Sequence, residues 1–213
     1  MSGSLPISQL PTPDPLTGAE LFAIVQDGVT KQTTLNSITY VQGNNYGLFN
    51  QTGSSTPITN TTTETSLIAG GVGTLSIPAN GFTKGDAFHC TLTGHLSSKN
   101  NDTLRIRIKS DSATLTDTGA ITMTGTTDRH WKMEIYFSIY NIGTAGVASI
   151  STGGNFQYTQ DASGASKNIN FSTENNTTFN TTILNTLVIT AQWGTADVLN
   201  SIYTDICTLN KTY

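Results

Sequence analysis

From Trp131 to Tyr140 the chain alternates without interruption between large apolar side chains and side chains that tolerate water. Trp131, Met133, Ile135, Phe137 and Ile139 share one parity, while Lys132, Glu134, Tyr136, Ser138 and Tyr140 share the other. Successive side chains of an extended strand point to opposite faces, so this period of two predicts a strand with one face buried. A helix would wind the same apolar residues around its whole circumference. A sheet covered on one face needs a second layer, and the pattern recurs elsewhere. In Leu104–Lys109 every charge faces away from Leu104, Ile106 and Ile108. Leu187, Ile189, Ala191 and Trp193 likewise alternate with Val188, Thr190 and Gln192.

Strand-like runs are predicted at 66–69, 73–77, 87–96, 103–109, 113–117, 131–141, 148–160, 169–172, 185–193 and 201–209. Gly70-Gly71, Asn80-Gly81, Gly153-Gly154 and Asn175-Asn176 are read as the corners between them. No amphipathic helix longer than two turns is visible after Gly43. The expected fold is all-β: an antiparallel β-sandwich, specifically a TNF-like jelly roll, preceded by an extended arm and a hairpin. Composition supports this. Thr occupies 39 of 213 positions, and its branched Cβ favours the pleated, half-exposed surface of a sheet.

The N-terminal part reads differently. Pro6, Pro11, Pro13 and Pro15 hold four of the six prolines, and proline has no donor for a central sheet. Leu21–Gln26 and Val29–Thr34 then flank Asp27-Gly28, a strong hairpin signal. Asn36 or Ser37 is placed to cap a brief helical turn through Val41, which Gly43-Asn44-Asn45 would end. One hairpin and one turn bury too little to fold alone, so a partner surface is expected. The organisation expected is an arm over 1–45, a linker or edge region over 46–65, and a sandwich over 66–213.

Charge narrows the function classes. Charged residues make up 11% of the chain, the net charge is −4, and the pI is near 5.2. A nucleic-acid partner needs a basic face, and the densest basic cluster is only Arg105, Arg107 and Lys109. No apolar run approaches the ~20 residues that span a bilayer, so no membrane partner is expected. Met1–Pro6 lacks the basic and apolar regions of a secretory signal, so none is expected.

Few residues suggest chemistry. Cys90 and Cys207 are expected to be two buried, reduced thiols, a single bridge between them being the alternative. His89 and His95 share one strand parity but lie six apart across Gly94, a bulge candidate, and His130 lies elsewhere. No metal site and no cofactor are therefore expected. Asp86, Asp102, Asp111, Asp117, Asp128, Glu134, Asp161, Glu174, Asp197 and Asp205 mostly fall in turns, where they read as solvated charges. A glycosidase would need two carboxylates across a cleft, and no nucleophile elbow, phosphate loop or zinc-protease motif occurs. No catalytic residue is expected. Lys84-Gly85-Asp86 reads as a tight turn with Gly85 at positive φ. The Asn-x-Thr sequons at Asn60 and Asn176 follow from composition alone.

Two stretches carry a resemblance. Ile7–Pro11, Leu16–Leu21 and Val25–Thr34 resemble a module at the N-terminus of many phage and large-DNA-virus tail-fibre, spike and head-fibre proteins. The body, from Gly71–Asn80 to Asn200–Lys211, resembles the trimeric jelly-roll domains of such proteins. The resemblance implies a structural virion protein, assembled in the host cytoplasm and attached by its arm to capsid or tail subunits. Ile7, Leu10, Leu21, Phe22, Ile24, Val25 and Val29 are the attachment candidates. A homotrimer is implied, with the outward-facing Tyr136 and Tyr140 as candidate interface residues. A host-surface glycan or receptor is the alternative partner, since jelly rolls often bind sugars.

Overall fold

A computed structural model describes residues 21–34, 47–111, 113–160 and 164–213, and divides the chain into two units, Met1–Asn44 and Asn45–Tyr213. Ile7, Leu10, the proline-rich segment and the expected helical turn lie outside the described residues.

In the first unit, β1 (Leu21–Gln26) and β2 (Val29–Thr34) pair antiparallel, with Gln26 opposite Val29 and Leu21 opposite Thr34. Asp27 and Gly28 both take positive φ, 55° and 75°, which makes the two-residue loop a type I′ turn matched to strand twist.

The second unit carries β3 (Gly47–Gln51), β4 (Ile58–Thr59), β5 (Thr65–Ser66), β6 (Gly71–Gly73), β7 (Ser76–Ile77), β8 (Ala87–Ser98) and β9 (Thr103–Ser110). It continues with β10 (Ala113–Asp117), β11 (Ile121–Thr122), β12 (Thr126–Asn141), β13 (Ser149–Thr159), β14 (Ser166–Asn176), β15 (Asn185–Trp193) and β16 (Ser201–Lys211). One sheet runs β14-β13-β12-β8-β16-β3-β6, with β4 against β16. The other runs β10-β9-β15-β5, with β11 on β9 and β7 on β15. All pairings are antiparallel, and the described residues contain no helix. The expected antiparallel sandwich is the fold.

The parity read from the sequence sets the core. Trp131, Met133 and Ile135 of β12 are fully buried, as are Leu104, Ile106 and Ile108 of β9, and Ile189 and Ala191 of β15. Both tryptophans find partners for their ring N–H, as buried indoles must. Trp193 Nε1 donates to the Ile58 carbonyl at 3.0 Å, and Trp131 Nε1 to those of His95 and Tyr203 at 3.2 and 3.1 Å. Cys90 and Cys207 are buried and unbridged, two register positions apart on the inner face of the neighbouring strands β8 and β16. A hydrogen bond with Cys207, then burial, pushes the Cys90 thiol well above its ordinary pKa. A buried thiol held protonated is a poor nucleophile, so no chemistry is read at Cys90.

In the stretch expected as a linker or edge region, 46–65, and just past its end, β3 and β4 pair with β16, and β5 with β15. Other expectations need correction. Gly153-Gly154 is no corner but lies inside β13. The bulge expected at Gly94 sits on the neighbouring strand, between Thr204 and Ile206. Gly85 does hold a turn with φ of 93°, but Asp86 behind it is buried, accepting from Thr83 and pairing with Lys211 at 2.7 Å.

Asp102 is the clearest departure from a solvated turn charge. It is 7% exposed and accepts from Thr195 Oγ1 at 2.6 Å, the Thr103 backbone N–H at 2.7 Å, and Asn200 Nδ2. Burial works to raise its pKa, but the bonds from Thr195, Asn200 and Thr103, with Lys99 nearby, hold it below the ordinary value. Asp117, with Arg105, and Glu64, with Thr190 and Lys109, are also lowered. Carboxylates with depressed folded-state pKa values stabilise fully above their unfolded-state pKa of about 4. That stabilisation is lost as pH falls through the lower folded values. Thermal melts from about pH 5 to about pH 3 should show a falling midpoint. Asp102→Asn should start lower and descend less steeply, and an equally steep descent would contradict this role for Asp102.

Candidate functional site

The outward face of the larger sheet is built by the water-tolerant parity of β16, β8, β12, β13 and β14. Register places these residues in cross-strand rows. One row reads Asn210, His89, Tyr136, Gly153, Ser172. The next reads Thr208, Thr91, Glu134, Asn155, Asn170, and a third reads Ile206, Thr93, Lys132, Gln157, Asn168. Tyr203, His95 and His130 begin a fourth.

Tyr136 is held on one side only. Its ring stacks on His89 with centroids 4.6 Å apart and planes within 4°. On its other side the row partner is Gly153, which has no side chain, so 54% of Tyr136 is exposed. Tyr140 follows four residues on, past the outward Ser138 position and beside the irregularity between Ile139 and Asn141, and is 48% exposed. The structure thus puts both candidate tyrosines outward on one strand of the larger sheet.

Polar and charged side chains on this face meet one another. Lys132 Nζ lies 2.8 Å from Glu134 Oε1, and that lysine holds the Glu134 carboxyl below its usual range. His95 Nδ1 lies 3.0 Å from Asp205 Oδ2, beside Tyr203, whose phenol is raised by burial and then by Asp205 and Asp128. Thr91 Oγ1 lies 3.4 Å from His89 Nε2, too far for efficient proton transfer. Among the described residues, no group of three His, Cys, Asp or Glu is placed to hold a metal. The chemistry offered is contact: aromatic faces, hydroxyls and amides.

The smaller sheet's outward face gathers the basic cluster. Glu64 takes Arg107 and Lys109, each at 2.9 Å, while Asp117 takes Arg105 at 2.6 Å. This face is closed by its own ion pairs. Sequence reading missed Glu64, which its polar surroundings had placed in the presumed linker.

In the hairpin, Leu21, Ala23 and Val25 form one exposed row, with Leu21 64% and Val25 74% exposed. Phe22 and Val29, on the opposite parity with the half-buried Ile24, are 40% and 57% exposed. Among the described residues the sheet has two strands only. The five candidates that are described are therefore brought together on one small ribbon. Comparison with protein-family models, curated proteins and solved structures gave no match.

Proposed function

We propose that this chain is a structural virion protein, a minor capsid, decoration, head-fibre or tail-fibre subunit held by its N-terminal unit. The observation that carries the reading is the hairpin: apolar side chains exposed on a ribbon that, among the described residues, has two strands and no buried apolar side chain. Such a ribbon gains stability by adding its edge and apolar row to a partner's sheet. The resemblance of the same segment to virion-attachment modules points to capsid or tail subunits as that partner.

We read the body as a jelly roll. The order β3-β16-β8-β12 opposite β5-β15-β9-β10 supports this, with β13 and β14 extending the first sheet. Three copies would associate through the outward face around Tyr136 and Tyr140, with cyclic symmetry closing the contact. Sedimentation equilibrium should give three times 22.6 kDa for the chain. Tyr136→Arg with Tyr140→Arg should shift it to monomer by placing like charges on the shared face. A monomeric wild type, or a trimer indifferent to both arginines, would refute the interface. A second reading, a receptor- or glycan-binding tip, is favoured by a cleft at one end of the sandwich lined by hydroxyl, amide and apolar side chains.

A further inference from the structure

A cleft of about 630 Å³ opens at the end of the body where the β8–β9 turn, the start of β12, the end of β13 and the β15–β16 loop converge. Its volume lies within the range of small-molecule sites. The lining is mostly hydroxyl and amide, including Ser98, Asn100, Thr126 and Gln160, with Arg129 within it. Val198 and Leu199, 76% and 60% exposed, add an apolar lip.

Arg129 distinguishes this cleft from an ordinary surface hollow. Its Nε is shielded from solvent and has no hydrogen-bond partner, and the same is true of Thr126 Oγ1. Among the described residues no carboxylate lies within ion-pair distance of Arg129. Lys99, the other cation in the lining, is already neutralised by Asp197 at 2.8 Å. Asp128, next to Arg129 in sequence, acts on Tyr203 of the outward face. A buried donor without an acceptor costs free energy that a ligand acceptor would recover.

We infer that the cleft binds an acidic sugar, a pyranose bearing one carboxylate, with that carboxylate on Arg129. One free guanidinium matches one carboxylate in a bidentate pair. The neutral hydroxyls and amides suit sugar hydroxyls, and Val198 and Leu199 would cover the apolar face of the ring. The lining contains no aromatic ring for a nucleobase to stack on. A phosphate dianion would meet only one unneutralised cation. The inference gives the glycan-binding reading a ligand class and a site, and it does not depend on virion attachment.

The test is titration of the full chain, followed by calorimetry or NMR, with N-acetylneuraminate and galacturonate. Glucose serves as the neutral control, and acetate and inorganic phosphate as simple anions. Saturable binding of an acidic sugar, at least about tenfold tighter than glucose or the simple anions, is expected. Arg129→Gln should remove that preference, and Arg129→Lys should keep part of it. Leu199→Asp, on an exposed loop position that leaves the fold untouched, should weaken binding about tenfold by repulsion. Lys132→Gln, on the outward face, should change nothing. Equal binding of glucose and the acids, binding by acetate or phosphate alone, no binding, or indifference to Arg129→Gln would each overturn the assignment. A chain that attaches to particles yet binds no acidic sugar would sink this inference alone.

Discussion

Gly94→Ala and Gly154→Ala are each expected to destabilise the body by about 3 kcal/mol, whereas Gly153→Ala should be nearly neutral. The contrast comes from the backbone around each position. Gly94 sits in the middle of β8, opposite Trp131 of β12, and a Cβ there would run into the Tyr203 carbonyl oxygen and the Thr204 Cα. The Trp131 indole donates to the Tyr203 carbonyl as well as to that of His95. The neighbouring strand bulges at this point, between Thr204 and Ile206. An added methyl therefore has to push backbone in the centre of a sheet, and backbone yields far less cheaply than a side-chain tip. At Gly154 the obstacle is again backbone, the Glu134 carbonyl, with the Phe171 ring at 3.0 Å. At Gly153, one residue away, the nearest atom is the Ser172 Cβ at 3.6 Å, an ordinary contact. For a domain of this size the two damaging changes should lower the melting midpoint by roughly 6 to 12 °C. Equal midpoints for Gly153→Ala and Gly154→Ala would contradict the described register of β12 and β13.

Removing residues 1–44 is expected to leave the body's melting midpoint unchanged and to abolish its attachment to particles. The first half follows from where the core lies. Among the described residues, the buried apolar cluster, from Phe49 to Leu209, belongs to the second unit. The second half follows from the proposed role of the hairpin. A milder version is Val25→Asp: the side chain is 74% exposed, so the isolated chain loses little stability. In a docked ribbon the same carboxylate would be buried against an apolar surface, and attachment should weaken at least about tenfold.

How much of this could be read from residues alone follows the range of the interactions. The parity of Trp131–Tyr140 and of Leu104–Lys109 is local, so both strands and their buried faces were legible. So was the Asp27-Gly28 turn, because two positive φ values suit that pair. β3 was not legible: Leu48 and Phe49 are adjacent, and only pairing with β16, far along the chain, makes Gly47–Gln51 a strand. Asp102 looked like a solvated charge because its partners Thr195 and Asn200 are 93 and 98 residues away. Gly153-Gly154 looked like a corner because turn chemistry and close backbone approach select the same residue. The outward parity of Tyr136 could be read, but not its stack on His89, which depends on the β8–β12 register. The cleft around Arg129 is assembled from four separated segments and left no local signature.

Attachment through the first unit, with the second folding without it, is tested by co-sedimentation in a density gradient. On the proposed virion role, particles of the virus that would encode this chain would be mixed with the tagged full chain or with tagged residues 45–213. Folding of each would be checked by its melting midpoint. The full chain should travel with the particles and the equally stable body should stay at the top of the gradient. A body that co-sediments as well as the full chain, or a full chain that stays behind, would contradict the assignment of attachment to the hairpin unit.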